Sequence, residues 1–330
     1  MTLRIEEAPF WSDIDDGPAG GKAVWVHTAD GVRIRVGAWP LDDAAAARGT
    51  VLLFPGRTEY IEKYGRAAGD FAARGYATLA VDWRGQGFGD RMTDNPLQGH
   101  VGRFSDYQLD VAGALAAAEM WRLPKPWHLL GHSMGGCIGL RSLYDGMPVA
   151  SAAFTGPMWG IALSEPTRTI ARLLSSAGTR MGLGKLYAPG TVRDAYVMIE
   201  PFEGNRLTND PEMYDYMRRQ TIAHPEYALA GPTLGWLHEA LKETAEMAQM
   251  PAPDYPCITF LGTREKIVDV PAVHRRMESW PNGRLELVET GEHEVMMDTP
   301  EVRKALFDTM CAHFDAHGGA DQGISTALRS

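Results

Sequence analysis

Short apolar runs rich in β-branched residues recur along the chain, most ending in a glycine or charged turn and giving way to a longer stretch with helical spacing. Ala23–His27 and Val32–Val36, parted by Asp30-Gly31, predict an opening β-hairpin. Further strands are predicted at Val51–Phe54, Tyr76–Val81, Trp127–Leu130, Cys257–Leu261 and Arg284–Val288. Helices are predicted near Tyr60–Arg74, Ser105–Trp121, Met134–Asp145, Pro271–Ser279 and Thr299–His313. Strand and helix in alternation call for an α/β fold with a mostly parallel, doubly wound sheet, whose ligands sit at the carboxyl ends of the strands.

The pattern changes between residues 157 and 250. β-Branched strands disappear there, and methionine, aromatic and helix-forming residues take over. The expected organisation is a first core segment (1–156), an inserted helical cap or lid (157–250), a second core segment (251–317) and a flexible tail (318–330). Met158, Trp159, Met198, Phe202 and Trp236, with Met181 and Met217, are candidates to line an apolar pocket under this cap, since flexible methionines suit a chain-like acyl group. The competing expectation for any one of them is that it packs in the cap's own small core.

With 330 residues, 45% of them hydrophobic, the chain has enough material for one large α/β core plus such a cap. A net charge of −10 excludes a basic nucleic-acid face and disfavours tight attachment to anionic lipid, so at most transient membrane contact is expected. No apolar stretch is long enough to span a bilayer, and the acidic start, Glu6-Glu7 followed by Asp13, Asp15 and Asp16, is unlike a secretion signal. Cys137, Cys257 and Cys311 are odd in number and widely spaced in apolar surroundings; they predict buried thiols in a reducing cytoplasm, with no disulfide frame or metal site.

Candidate chemistry centres on Gly131-His132-Ser133-Met134-Gly135, directly after the run Trp127–Leu130. A strand that ends in G-x-S-x-G and opens a helix is a nucleophile elbow: the turn presents the serine hydroxyl at the strand's carboxyl end. That hydroxyl needs a base to take its proton and an acid to orient the base, and after such an elbow they follow in the order serine, acid, histidine. His293, beyond the run Arg284–Val288 and Gly291, stands where the base belongs. His132, beside the nucleophile on a sharp turn, is expected to pack beneath the elbow. Two carboxylates follow Cys257–Leu261 on one loop. Glu265 is the favoured acid; Asp269 is the alternative, with N-capping of the helix near Pro271 as its competing role. The oxyanion donors are expected to be the backbone N–H of Met134, which opens a helix, and that of Arg57, in the Pro55-Gly56 turn after Val51–Phe54. Asp82–Asp90 reads as a tight supporting loop, because its glycine spacing fits neither a dinucleotide fingerprint nor a lysine-containing phosphate loop.

Three segments carry a wider likeness: Phe54-Pro55-Gly56-Arg57-Thr58-Glu59, Asp82-Trp83-Arg84-Gly85-Gln86-Gly87-Phe88-Gly89-Asp90 and Gly131-His132-Ser133-Met134-Gly135-Gly136. Their succession resembles the α/β-hydrolase superfamily, and within it the lysophospholipase and monoacylglycerol lipase group, over residues 25–155 and 255–315. The resemblance implies the α/β-hydrolase fold, with Ser133 as nucleophile, His293 as base, Glu265 as acid, and the Arg57 and Met134 amides as oxyanion hole. Pro55 stands where that group usually has histidine, and Glu265 where it usually has aspartate. The implied function is hydrolysis of carboxylic esters through an acyl-enzyme, without metal or organic cofactor, on a small-molecule or lipid ester such as a lysophospholipid or monoacylglycerol. A carboxylesterase for small esters, an acyltransferase and a non-catalytic binding protein are the alternatives.

Overall fold

The computed structural model describes residues 3–319. Nine strands form one sheet among these residues: β1 (Arg4–Ala8), β2 (Lys22–His27), β3 (Arg33–Trp39), β4 (Gly49–Phe54), β5 (Tyr76–Asp82), β6 (Trp127–His132), β7 (Ser151–Thr155), β8 (Cys257–Gly262) and β9 (Gly283–Val288). Their order is β1-β2-β3-β5-β4-β6-β7-β8-β9. The pairs from β1 to β3 and from β3 to β5 are antiparallel, and every pair from β5 through β4 to β9 is parallel. This is the mostly parallel sheet that the alternation predicts.

The central strands are buried at every position because helices cover both faces. Leu52 and Phe54 of β4 pack with α2 (Tyr107–Met120), α3 (Met134–Tyr144) and α8 (Val270–Glu278) through Val111, Ile138 and Val273. Val51 and Leu53, one residue out of phase, pack with α1 (Gly65–Ala72) and α9 (Pro300–His317) through Phe71, Phe307 and Phe314. Two strands escaped sequence reading. β1 is an exposed edge strand in which charged Arg4, Glu6 and Glu7 mask the pattern, and β7 (Ser-Ala-Ala-Phe-Thr) is buried at every position despite the low strand preference of alanine.

Between β7 and β8 lie α4 (Glu165–Arg180), α5 (Tyr196–Ile199), α6 (Pro211–Ala223) and α7 (Leu234–Met247), with no strand among them. Ser164, Asp210 and Thr233 accept hydrogen bonds from the first-turn amides of α4, α6 and α7, and proline follows at the start of α4 and α6. The segment thus carries its own helix-start signals. The tail expected from residue 318 lies, from residue 320 onward, outside the described residues. No described helix is long and apolar enough to cross a membrane. Cys137, Cys257 and Cys311 are free and buried.

Candidate active site

β6 delivers the chain to Ser133, whose φ of 50° and ψ of −117° lie in a region that residues other than glycine rarely enter. Holding it there costs on the order of 1–3 kcal/mol, which the surrounding packing must over-determine. It does so through glycine: a Cβ on Gly135 would overlap the carbonyl oxygen of Phe54, so α3 can start against β4 only with glycine at that position. The Ser133 N–H also donates to the Thr155 carbonyl at 3.1 Å, tying the elbow to β7.

His293 reaches this serine from the loop after β9. Its Nε2 lies 2.9 Å from Ser133 Oγ, and its Nδ1 lies 2.5 Å from Glu265 Oε2. The other Glu265 oxygen accepts from the amides of Ile267, at 2.6 Å, and Val268, at 3.2 Å. Burial works to raise the pKa of Glu265, but the charge and hydrogen bond of His293 and these two amides outweigh it and hold the carboxyl below its usual range. The alternative acid lies elsewhere. Asp269 caps α8 through the Ala272 N–H at 3.1 Å and pairs with Arg168 at 2.6 Å.

The turn after β4 lies beside the elbow because β4 and β6 pair in parallel, with Phe54 opposite Gly131. Arg57 and Thr58 of this turn, together with Ser133 and His293, line a cavity of about 310 Å³. Met134 is the first residue of α3, so its N–H has no acceptor within the helix. The cavity's other walls are largely apolar: Met158, Ile161, Leu207, Met217, Leu229, Trp236 and Ile267 among others.

The pocket expectation requires correction at four positions. Met158 and Trp236 line the cavity, but Trp159, Met198 and Phe202 do not. Trp159 turns into the core, stacked on Trp280 and donating to the Gly136 carbonyl. Met198 is exposed, and Phe202 packs on Tyr214 inside the helical segment. Met181, 74% exposed, is also outside. Apolar composition showed that this segment has a buried face but not which residues form it.

Residues 45–300 match the family model described as serine aminopeptidase, S33. The chain belongs to this family. It is 31% identical to a probable lysophospholipase L2 of Haemophilus influenzae over 269 residues, 81% of this chain and 83% of that protein. With lysophospholipase L2 of Escherichia coli it shares 29% identity over 290 residues, 84% of each. The fold is similar to a soluble variant of monoglyceride lipase from Saccharomyces cerevisiae solved with a substrate analogue (TM-score 0.69, 21% identity, 88% of this chain and 94% of that one). It is also similar to a thermostable carboxyl esterase from Bacillus coagulans (TM-score 0.70, 14% identity, 92% and 100%). The α/β-hydrolase fold and the lysophospholipase and monoacylglycerol lipase resemblance read from the sequence agree with these likenesses.

In this S33 family member the elbow rests on a buried ionic cluster that the sequence analysis missed. Glu59 accepts from the Gly56 N–H and the Tyr64 hydroxyl, and from Lys63 Nζ at 2.5 Å. Lys63 Nζ also donates to Glu294 at 2.6 Å, and His132 Nε2 lies 3.3 Å from Glu294 and 3.5 Å from Glu59. His132 does pack beneath the elbow, within this cluster. Burial lowers its pKa, yet Glu294 and Glu59 together raise it above its usual value; for Glu294, Lys63 and His132 overcome burial and hold the carboxyl well below its own. Glu59, His132 and Glu294 are close enough to hold a metal ion, but the Lys63 ammonium already stands between the two carboxylates.

The cluster joins the turn after β4, the elbow and the histidine loop, three segments far apart in sequence. A signal was present only in part: Glu59 ends the motif segment after β4, Lys63 follows it by four residues, and Glu294 is next to His293. Gly156 was missed too. It has φ 47°, and a Cβ there would stand 3.1 Å from both Glu265 Oε2 and His293 Nδ1, so the site needs glycine at the end of β7. Its signal was the strand end Phe154-Thr155-Gly156-Pro157. Asp82, expected to hold its neighbours, accepts from the backbone of Ile61 and Phe88, while Arg84 bonds the side chains of Asp110 and Asp30.

Proposed function

We propose that this chain hydrolyses carboxylic monoesters of long acyl chains, lysophospholipids or monoacylglycerols, through an acyl-enzyme on Ser133. One observation carries the reading: Ser133, His293 and Glu265 form an unbroken hydrogen-bonded series at the wall of an apolar cavity. His293 Nε2 takes the hydroxyl proton as Ser133 Oγ attacks the ester carbonyl, and Glu265 holds the Nδ1–H and stabilises the imidazolium. The amides of Arg57 and Met134 donate to the oxyanion of the tetrahedral intermediate. On collapse, the leaving alkoxide takes the proton from Nε2. Water then repeats the sequence on the acyl-enzyme, with His293 again as base, and releases the fatty acid.

The relatives that are lysophospholipases and a monoglyceride lipase support this substrate class. The charge in the cavity wall argues against peptide substrates, despite the family's description. An aminopeptidase needs a free carboxylate for the substrate's ammonium group, and both glutamates on this wall, Glu59 and Glu294, are engaged by Lys63. Residues 157–250 serve as the lid that supplies the cavity's apolar side, between core segments 1–156 and 251–317. Three free, buried thiols support a cytoplasmic setting.

A fluorophosphonate probe should label Ser133 in the wild-type protein and nothing in Ser133→Ala. Turnover measured across a series of monoacylglycerols should rise with chain length; a maximum at acetyl or butyryl esters would turn the assignment to a small-ester carboxylesterase. Adding an alcohol acceptor and finding mostly acyl transfer would turn it to an acyltransferase.

A further inference from the structure

We infer that the Arg57 side chain reads a phosphate next to the scissile ester, so that this site favours lysophospholipids over neutral monoacylglycerols. The inference rests on the ester-hydrolase reading above and narrows its substrate.

Among the described residues the buried and half-buried cations are partnered, with one exception on the cavity wall, the half-buried Arg57. Arg35 is held by Glu62 and Asp82, Arg84 by Asp30 and Asp110, and Lys63 by Glu59 and Glu294. Arg91 and Arg276 have no carboxylate, but each makes three hydrogen bonds to carbonyl or hydroxyl oxygens. Arg57 makes one: Nη2 donates to the Ala230 carbonyl at 2.7 Å. Its Nε is buried without a partner, and among the described residues no Asp or Glu forms a salt bridge with it. Burial with no carboxylate to offset it pushes its pKa down to about 10. The guanidinium is nevertheless positioned, with its carbon 5.2 Å from the Trp236 ring centroid.

A half-buried cation held in place without a counter-ion is costly unless a ligand supplies the anion. A guanidinium presents its N–H donors as a planar fork that matches phosphate oxygens two at a time. Arg57 is also the residue whose backbone N–H faces the reacting carbonyl in the proposed mechanism. Its side chain therefore starts beside the ester and ends a few bonds away, where a glycerolipid carries its phosphate. The other charged groups on the wall, Glu59, Lys63 and Glu294, are already paired with one another and with His132 beneath them. The apolar remainder, with Met158, Ile161, Leu207 and Met217, is left for the acyl chain.

The test is kcat/KM on lysophosphatidylglycerol, lysophosphatidylcholine and monoacylglycerol of one acyl chain in neutral detergent micelles. Wild type should prefer both phosphate-bearing substrates over monoacylglycerol by about tenfold or more. Arg57→Met should bring that ratio close to one, mainly through KM, because the contact exists before and during reaction. Any disturbance of the oxyanion amide affects all three substrates and cancels in the ratio. Arg57→Lys, which keeps the charge and loses the fork, should fall between. Gly99→Ala, whose Cβ would stand 2.8 Å from Arg57 Nη2, should lower the ratio without altering residue 57 and carries the test if Arg57→Met does not fold. A wild-type preference for monoacylglycerol, or a ratio unchanged within about twofold in the variants, overturns the inference while leaving the hydrolase intact. Inhibition by free fatty acid that weakens in Arg57→Met while the ratio holds would assign the guanidinium to the product's carboxylate and also overturn it. No turnover of any of the three by wild type removes the hydrolase reading itself.

Discussion

Around Ser133 the sheet-borne part of the molecule fixes each group by backbone or by buried charge, whereas the helical segment over it has only a small core of its own. The elbow is locked by a glycine against β4, the Glu265 carboxylate by two amides, and the turn after β4 by a carboxylate beneath it. In the helical segment, α4 buries only Ser175 and Gly178, and Ile170, Leu173, Leu174 and Met181 lie exposed. The buried cluster around α6 is correspondingly small: Met213, Tyr214, Tyr216 and Met217, closed by Met297 of the core. The two parts are joined at several places: the carbonyls of Arg206 and Leu207 accept from the amides of His293 and Glu294, the Tyr227 hydroxyl donates to Glu62, Arg141 pairs with Glu243, and Arg168 pairs with Asp269. The difference teaches that the chemistry is specified by a rigid frame and the substrate by a looser cover. Substitutions in the frame should act on kcat, and those in the cover on KM.

The sharpest way to break this contrast is at the hydrogen-bonded series. Ser133→Ala and His293→Ala should each lower kcat by on the order of 10⁴-fold or more with the melting temperature nearly unchanged, measured by ester hydrolysis and thermal unfolding. Glu265→Gln should lose roughly 10²- to 10⁴-fold, because the amide cannot hold the Nδ1–H tautomer. Asp269→Asn is its control. It should leave kcat within about twofold and cost no more than about 1 kcal/mol, through the weakened Arg168 pair, because asparagine caps α8 as well as aspartate does. A larger loss of kcat from Asp269→Asn than from Glu265→Gln would reverse the assignment of the acid.

Next in size is Gly156→Ala, which places a side chain at positive φ against the His293–Glu265 pair. It should lower kcat by about 10- to 100-fold and destabilise by about 1–3 kcal/mol. Full activity with an unperturbed fold would show that the pair tolerates displacement and that the frame is softer than its packing implies.

Stability against pH offers a third, smaller test. Glu265 and Glu294 have folded pKa values below their unfolded ones, so what they add to stability is complete above the ordinary glutamate value of about 4.3 and is lost as pH falls through the folded values. His132 is raised, so its contribution is complete below about 6.5 and is lost as pH rises through its folded value. Melting temperature should therefore decline on both sides of a maximum, and His132→Asn should flatten the alkaline limb. An alkaline limb unchanged in that variant would mean that His132 stays neutral in the cluster.

How far the chain could be read from its sequence follows the same division. The meeting of Ser133, His293 and Glu265 was legible because an elbow needs glycines, a fixed chain order and strand-then-loop settings. Glu59 and Lys63 were not, because their partners Glu294 and His132 lie far along the chain and only the parallel pairing of β4 with β6 brings them together. β7 was hidden by its alanines. In the helical segment, methionines at similar spacing ended up on opposite sides: Met217 faces the cavity and Met198 faces outward. The period of a short helix interrupted by glycine and proline does not fix which of its faces is covered.

Those two methionines give the mildest test. Met217→Ala enlarges the cavity and removes contacts to an acyl chain, so KM for long-chain monoesters should rise by about 3- to 10-fold while kcat stays within about twofold. The same substitution costs stability, by about 2–3 kcal/mol, since Met217 is buried among Met213, Tyr214 and Tyr216. Met198→Ala removes an exposed side chain and should change stability by no more than about 0.5 kcal/mol, with KM unaltered in detergent micelles. If instead Met198→Ala raises KM as much as Met217→Ala does, the outward face of the helical segment takes part in collecting substrate, and the separation between frame and cover must be redrawn to include its exposed apolar surface.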